Sequence, residues 1–167
     1  MTHRTLVALV VAVTAFSPVA RVTVAADEKS EDADSAKRLA REERSQGAKK
    51  YEALYGAEEK KVVATASTKD DAKFAAKLIE LAKPIPDDRP LLAVMYERAH
   101  ALGSKDPDGY AAALEALELL AKADPDTAPG KRAKAVELYR LQHKNGRGAQ
   151  RQEGGSALAA VLLEEAD

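Results

Sequence analysis

Beyond residue 50, apolar positions recur every three or four residues in segments bounded by proline, glycine or short acidic runs. This spacing places apolar side chains on one face of a helix. Between residues 68 and 145 the predicted helices are about 12 to 16 residues long, with connections of about 5 to 7, which suits antiparallel neighbours. The pattern predicts an all-α fold, an array of antiparallel helical hairpins arranged like a repeat protein.

Two of these helices have clear boundary signals. The first is predicted to begin at Thr68, with Asp71 completing a capping box, and to bury Ala75, Leu78, Ile79 and Ala82. The run Lys83-Pro84-Ile85-Pro86 ends it. The second opens at Arg89-Pro90 and closes at Gly103, and its apolar stripe contains Leu91, Met95, Ala99 and Leu102.

The tripeptide Asp-Pro-Asp occurs at 106–108 and again at 124–126, each time ahead of a helical pattern. Aspartate is a good helix cap, and proline fits the first turn because its missing N–H costs little there. Both tripeptides therefore predict helix starts. The helix after the first should bury Tyr110, Ala113, Leu114, Leu117, Leu120 and Ala121.

The first tripeptide also fits part of a calcium-binding loop. Counted from Ser104, an EF-hand loop would have ligand or turn positions at Asp106, Asp108, Gly109 and Glu115. Ser104 replaces the first aspartate of that loop, and Pro107 favours an earlier helix start. We therefore interpret these aspartates as caps and expect no metal site.

The chain from Pro129 onward predicts a basic helix that ends near Asn145-Gly146. A loop rich in Gly, Gln and Arg should follow as far as Gly155, and then a short last helix with Leu158, Val161 and Leu162.

Residues 1–26 have the features of a secretory signal peptide. A basic start is followed by an apolar run from Leu6 to Phe16, and Val24-Ala25-Ala26 offers small residues for cleavage before Asp27. Pro18 and Arg21 interrupt the run before it could span a bilayer. We expect a cleaved chain in the bacterial periplasm or outside the cell, with no stable membrane span.

After the signal peptide the sequence predicts two parts. Residues 27–50 are dense in both charge signs and predict a helical or disordered lead. Residues 51–167 predict the helical domain, which starts with Tyr51, Leu54 and Tyr55, and Gly56 should break the first helix or mark a turn. The chain has no cysteine, hence no disulfide and no lipid anchor.

Formal net charge is −1, so no overall field attracts nucleic acid or membrane. Locally, bases outnumber acids between residues 131 and 151, where Glu137 is the only acid against Lys131, Arg132, Lys134, Arg140, Lys144, Arg147 and Arg151. This segment either packs beside an acidic helix or forms a surface for an acidic protein or anionic envelope component. Nucleic acid is disfavoured, because aromatic residues for base stacking are not interleaved with these bases.

Two resemblances concern the architecture. Ala113, Leu117, Leu120 and Pro125 match the second helix of a tetratricopeptide repeat, although Glu97, His100 and Ala101 depart from its first helix. The helical segments from Leu54 to Leu141 resemble a tetratricopeptide-like region near the N-terminus of large secreted bacterial proteins of unknown function. That resemblance implies a repeat-like helical fold outside the cytoplasm and no known activity.

No catalytic or cofactor motif stands out. His100 and His143 lie on different predicted helices, and no nucleophile motif accompanies either of them. We therefore expect a non-enzymatic exported protein without a cofactor, which presents a surface to another protein or an envelope component. The alternatives are a structural spacer, the N-terminal part of a longer secreted protein, or an enzyme whose motif is not recognisable.

Overall fold

A computed structural model describes the backbone of residues 24–164 and the side chains of residues 34–163. All regular structure in this part is helical, so the predicted all-α class is confirmed. The α-helices are α1 (Val24–Tyr51), α2 (Ala57–Val63), α3 (Thr68–Ala82), α4 (Arg89–Gly103), α5 (Tyr110–Ala123), α6 (Ala128–Asn145) and α7 (Ala149–Glu164). A π-helical turn (Glu52–Gly56) joins α1 to α2, and short 3-10 turns (Pro107–Gly109 and Pro125–Thr127) precede α5 and α6.

The chain divides into two compact units after Arg38. In the first unit, the side chains of residues 34–38 are exposed. The second unit contains the core, where α2 to α7 pack together. Residues 1–23 of the predicted signal peptide lie outside the described residues. No described helix combines the length and hydropathy that crossing a bilayer requires.

Helix α4 lies between α3 and α5 and supplies much of the core. Every residue from Leu91 to Tyr96 is buried, because neighbours cover this part of the helix on all sides. The predicted stripe is confirmed, since all four of its residues are buried, as are the four predicted for α3. The predicted helix boundaries at Ala82, Arg89 and Gly103 are also confirmed.

The predicted capping box at the start of α3 is wrong. The N-cap residue is Ser67, and its side chain makes no capping hydrogen bond. The Thr68 hydroxyl instead donates to Oδ2 of Asp106 at 2.6 Å. Asp71 is buried and accepts from Nζ of Lys105 at 3.1 Å. Both side chains therefore connect α3 to the segment ahead of α5.

Of the two alternatives expected at Gly56, a helix break or a turn, the break does not occur. The chain passes through the π-helical turn directly into α2. A π turn inserts a residue into the helical repeat and so rotates the positions that follow. Tyr51 is buried under the guanidinium of Arg98, which lies 6.0 Å from the ring centroid. Leu54, which belongs to the same apolar signal in the sequence, is 62% exposed.

Both Asp-Pro-Asp tripeptides begin helices, as predicted. Oδ1 of Asp106 accepts from the N–H of Asp108 at 3.0 Å, and Oδ1 of Asp124 accepts from the N–H of Asp126 at 3.2 Å. Each proline opens a single 3-10 turn, and the α-helix follows directly. The sequence located the helix starts but did not show that the first turn is tighter than an α-helix.

The loop predicted as far as Gly155 is wrong, because α7 begins at Ala149. Gly154 and Gly155 lie inside α7 where it packs on α6. A Cβ on Gly154 would lie 2.8 Å from the backbone nitrogen of His143. Glycine therefore permits a close helix contact, and this packing outweighs the low helix propensity of the two residues.

Candidate functional site

Of the seven basic residues predicted as one surface, five lie on α6, Arg147 lies in the connection after it, and Arg151 lies in α7. Lys131 pairs with Glu118 of α5. Arg132 donates from Nη2 to the carbonyl of Val161 in α7 at 3.1 Å. These two side chains therefore connect α6 to its neighbours on either side.

Arg151 also has a structural contact. Its Nε donates to the carbonyl of His143, and its Nη2 donates to the carbonyl of Lys144, each at 3.0 Å. These carbonyls belong to the last turn of α6, where helix carbonyls have no partner within the helix. Arg151 thus places a positive charge at the negative end of the helix.

The other four basic residues are exposed. Arg140 and Lys144 lie one turn apart on the same face of α6, and Arg147 follows the helix. Lys134 instead borders a cavity that also contains His100. Arg140, Lys144 and Arg147 remain as exposed candidate binding residues, and we call these three residues the basic surface below.

The cavity beside Lys134 has a volume of about 210 Å³ and lies between α4 and α6. Nδ1 of His100 lies 3.4 Å from the carbonyl oxygen of Ala113. Burial lowers the pKa of His100, and the positive charge of Lys134 adds to this effect. The hydroxyl of Ser104 donates to the backbone carbonyl of His100 at 2.7 Å, so it is directed at the helix and not at the imidazole.

The carboxylate of Asp106 is engaged at both oxygens, by the N–H of Asp108 and by the Thr68 hydroxyl. The hydrogen bond from Thr68 lowers the pKa of Asp106, and the bond from the Asp108 amide lowers it further. This is a capping arrangement, which is how we interpreted the tripeptide. Among the described residues, no group of three or more His, Cys, Asp or Glu is arranged to hold a metal ion.

Asp71 and Lys105 form an ion pair next to this cap that the sequence did not predict. Asp71 is only 6% exposed, and a buried carboxylate is costly unless it is paired. The pair joins α3 to the segment after α4. No sequence signal identifies it, because the position of Asp71 in the first turn of α3 predicted a capping box instead.

An open groove of about 300 Å³ lies where the end of α3, the start of α4 and the end of α5 meet. We call it the α3–α5 groove. Leu92 and Tyr96 are buried beneath it, and Leu119 is partly buried. Three basic side chains and no acidic one occur among its lining residues, which are Ala82, Lys83, Pro86, Arg89, Leu92, Tyr96, Leu119, Lys122 and Ala123.

The three basic residues of the groove differ in whether an acidic side chain pairs with them. Lys83 donates to Glu80 at 2.6 Å. Arg89 and Lys122 are exposed and make no ion pair or side-chain hydrogen bond within the part of the chain that the structure describes. Burial raises the pKa of Tyr96, and the negative charge of Glu115 adds to this, so one acidic residue of α5 lies close to the groove.

A second groove, of about 270 Å³, adjoins the first and shares Arg89 and Ala123 with it. We call it the Arg44 groove. Nη2 of Arg44 lies 2.6 Å from Oε1 of Glu97 and 3.3 Å from Oδ2 of Asp124. The lining of this groove carries both signs of charge, whereas the lining of the α3–α5 groove is basic.

Sequence reasoning missed Arg89 and Lys122 as candidate binding residues. Arg89 was interpreted as part of a helix start, and Lys122 follows the apolar stripe of α5. They come together only because α4 begins beside the end of α5.

Comparison with protein-family models, with curated proteins and with solved structures found no match for the chain.

Proposed function

We propose that the protein is an exported, non-enzymatic helical protein that binds a segment of another protein or of an envelope component. The observation that carries this proposal is the α3–α5 groove. It has a concave apolar floor, and two basic side chains border it. Within the part of the chain that the structure describes, these two side chains, Arg89 and Lys122, form no ion pair. Binding sites commonly consist of an apolar depression with a few polar groups that fix orientation.

We also propose that the helices form a repeat-like array of hairpins, similar to tetratricopeptide repeats. In support, consecutive helices from α2 to α7 pack on each other, and α3 also contacts α5. Proteins built from stacked helix pairs commonly bind partners on an extended surface that the stacking creates. The connections between these helices are short, which favours antiparallel neighbours.

Location outside the cytoplasm is part of the proposal and depends on residues 1–26 alone. In a periplasmic or secreted setting, the partner would be another exported protein or an anionic component of the envelope. The basic surface, Arg140, Lys144 and Arg147, is the second place where an anionic partner could bind.

Site-specific photo-crosslinking in cells tests this function. A photoreactive amino acid is placed at Lys122 in the α3–α5 groove, at Arg140 on the basic surface, or at Ala76, an exposed position of α3 that borders neither. We expect a discrete adduct from Lys122 and none from Ala76. The proposal fails if no position gives an adduct, or if all three give the same mixture. An adduct from Arg140 alone would keep the binding function and move it to the basic surface.

A further inference from the structure

We infer that the α3–α5 groove binds an acidic amphipathic peptide segment, in which Asp or Glu lies next to large apolar side chains. This inference rests on the proposed function and specifies the chemistry of the partner. It is argued from the shape of the groove, from the apolar residues beneath it and from the charges around it.

The floor of the groove favours apolar side chains. Leu92 and Tyr96 form its base and are 6% and 8% exposed, and the more open Leu119 and Pro86 provide apolar surface at its sides. At about 300 Å³, the groove is at the lower limit of ordinary ligand sites. A volume of this size accommodates a few side chains of a segment and not the surface of a folded domain.

The charges around the groove favour carboxylates. Lys83, Arg89 and Lys122 border it, and its lining includes no acidic residue, so the bases outnumber the one nearby acid of α5, Glu115. Lys83 is already bound to Glu80, so Arg89 and Lys122 are the two side chains available for an incoming anion. Arginine can bind a carboxylate through two parallel hydrogen bonds, which makes such a contact strong and directional. A basic segment would place its positive charge against both side chains and be repelled.

The neighbouring Arg44 groove limits where the acidic part of the segment can lie. Glu43 and Asp126 line that groove, and Arg44 is bound by Glu97 and Asp124. An acidic segment that continued into it would meet unfavourable negative charge. We therefore place the partner's acidic residues over the α3–α5 groove.

A random decapeptide library displayed on phage tests this chemistry directly on the full-length protein. We expect the selected peptides to be enriched in Asp and Glu adjacent to Leu, Phe or Tyr. The affinity of the best peptide is then measured by fluorescence anisotropy for the wild type, for Arg89→Gln/Lys122→Gln and for the control Arg41→Gln/Lys49→Gln, whose two positions lie on α1 away from both the groove and the basic surface. The two double variants remove equal charge from exposed positions, so they are matched controls for each other.

Loss of the two groove charges should weaken binding at least about tenfold, whereas the control variant should bind within about twofold of the wild type. Thermal unfolding of each variant checks that the fold is kept. The inference is overturned if the selected peptides are basic or uncharged, if no peptide is enriched over uncoated support, or if the control variant loses binding and the groove variant keeps it. A crosslinked partner at Lys122 together with non-acidic selected peptides would leave the proposed function standing and reject this inference alone.

Discussion

Thr68 and Asp106, which are 38 residues apart in sequence, share a hydrogen bond of 2.6 Å from Oγ1 to Oδ2. The other oxygen of the same carboxylate caps the 3-10 turn ahead of α5. One aspartate therefore begins a helix and also fixes the position of α3 against that helix start. The capping signal was visible in the sequence, but this second role was not.

Replacing Asp106 should separate these two roles. Asp106→Ala loses the cap and the bond to Thr68, and we expect a loss of about 0.5 to 2 kcal/mol in the free energy of unfolding for the cap alone. Asp106→Asn keeps a capping side chain and should lose less. Urea unfolding of both variants measures the difference. An Asp106→Ala variant as stable as the wild type would show that the side-chain cap contributes nothing.

The pH dependence of Asp106 follows from its lowered pKa in the folded state. Its ionised form contributes stability above the unfolded pKa of about 3.9, and this contribution is lost as the pH falls through the folded pKa. The stability gap between the wild type and Asp106→Asn should therefore narrow below about pH 4. A gap that stays constant down to pH values well below the unfolded pKa contradicts this account.

Calcium should have little effect on stability, because both oxygens of Asp106 are already used within the fold. A bound ion raises stability by RT ln(1 + [L]/Kd), so millimolar calcium should leave the melting temperature almost unchanged. Differential scanning calorimetry with and without calcium measures this. A rise of several degrees that disappears in Glu115→Gln would replace the capping interpretation with a calcium loop.

His100 should make the protein less stable in mild acid. Burial lowers its folded pKa, so the unfolded chain takes up the proton first, near its pKa of about 6.5. Stability should be flat above this value, fall as the pH drops through it, and level off below the folded pKa. Denaturant unfolding between about pH 5 and pH 7.5 should show a shallower slope for His100→Gln than for the wild type. Equal slopes would show that His100 does not contribute.

Two glycines in the last two helices should respond oppositely to alanine. In Gly154→Ala, the new Cβ would lie 2.8 Å from the His143 nitrogen, and we expect a loss of about 1 to 3 kcal/mol from overpacking. In Gly130→Ala, nothing lies within 4 Å of the new Cβ, so the higher helix propensity of alanine should add up to about 1 kcal/mol. Thermal unfolding compares the pair. A stabilised Gly154→Ala would mean that α6 and α7 do not pack closely.

Leu117 should be a strongly stabilising core residue, since it is 2% exposed on the buried face of α5. Leu117→Ala should cost about 2 to 5 kcal/mol. Leu54→Ala is the matched control, because Leu54 is 62% exposed and its loss should change stability by less than about 0.5 kcal/mol. Similar losses for the two variants would show that the packing of α5 is described incorrectly.

The exported protein should begin near Asp27. The small residues Val24-Ala25-Ala26 precede it and provide the expected cleavage site. Mass spectrometry of the protein recovered from the cell envelope determines the N-terminus. An intact chain that still carries Met1 would contradict export by signal cleavage.

Local signals in the sequence were sufficient for most helix boundaries. The Pro84–Pro86 stop, the Arg89-Pro90 start and both Asp-Pro-Asp starts act within a single turn, and all appear where predicted. The predicted break at Gly56 does not occur, since Gly56 ends a π-helical turn that leads into α2, and Gly154 was assigned to a loop because glycine was interpreted from its propensity. In both cases the chain continues as helix, and at Gly154 the reason is a close contact with α6 that depends on distant residues.

The α3–α5 groove could not be predicted from a linear pattern. Lys83 ends one helix, Arg89 begins the next, and Lys122 lies near the end of a third. The basic residues that do cluster in sequence, such as Lys131 and Arg151, are instead partly used to connect helices and to cap α6. The density of basic residues in this segment predicted a single surface. In the structure, some of these residues make contacts within the fold and the others are exposed.

The most direct test of the binding role of the α3–α5 groove is quantitative capture from envelope extract. Immobilised wild type, Arg89→Gln/Lys122→Gln and Arg140→Gln/Lys144→Gln are compared by mass spectrometry of the proteins that each retains. If the groove binds a partner, the wild type and the Arg140/Lys144 variant should both retain at least one protein in similar amounts. The amount of that protein retained by the groove variant should be about tenfold lower. Identical retention by all three proteins would contradict a binding role for the groove.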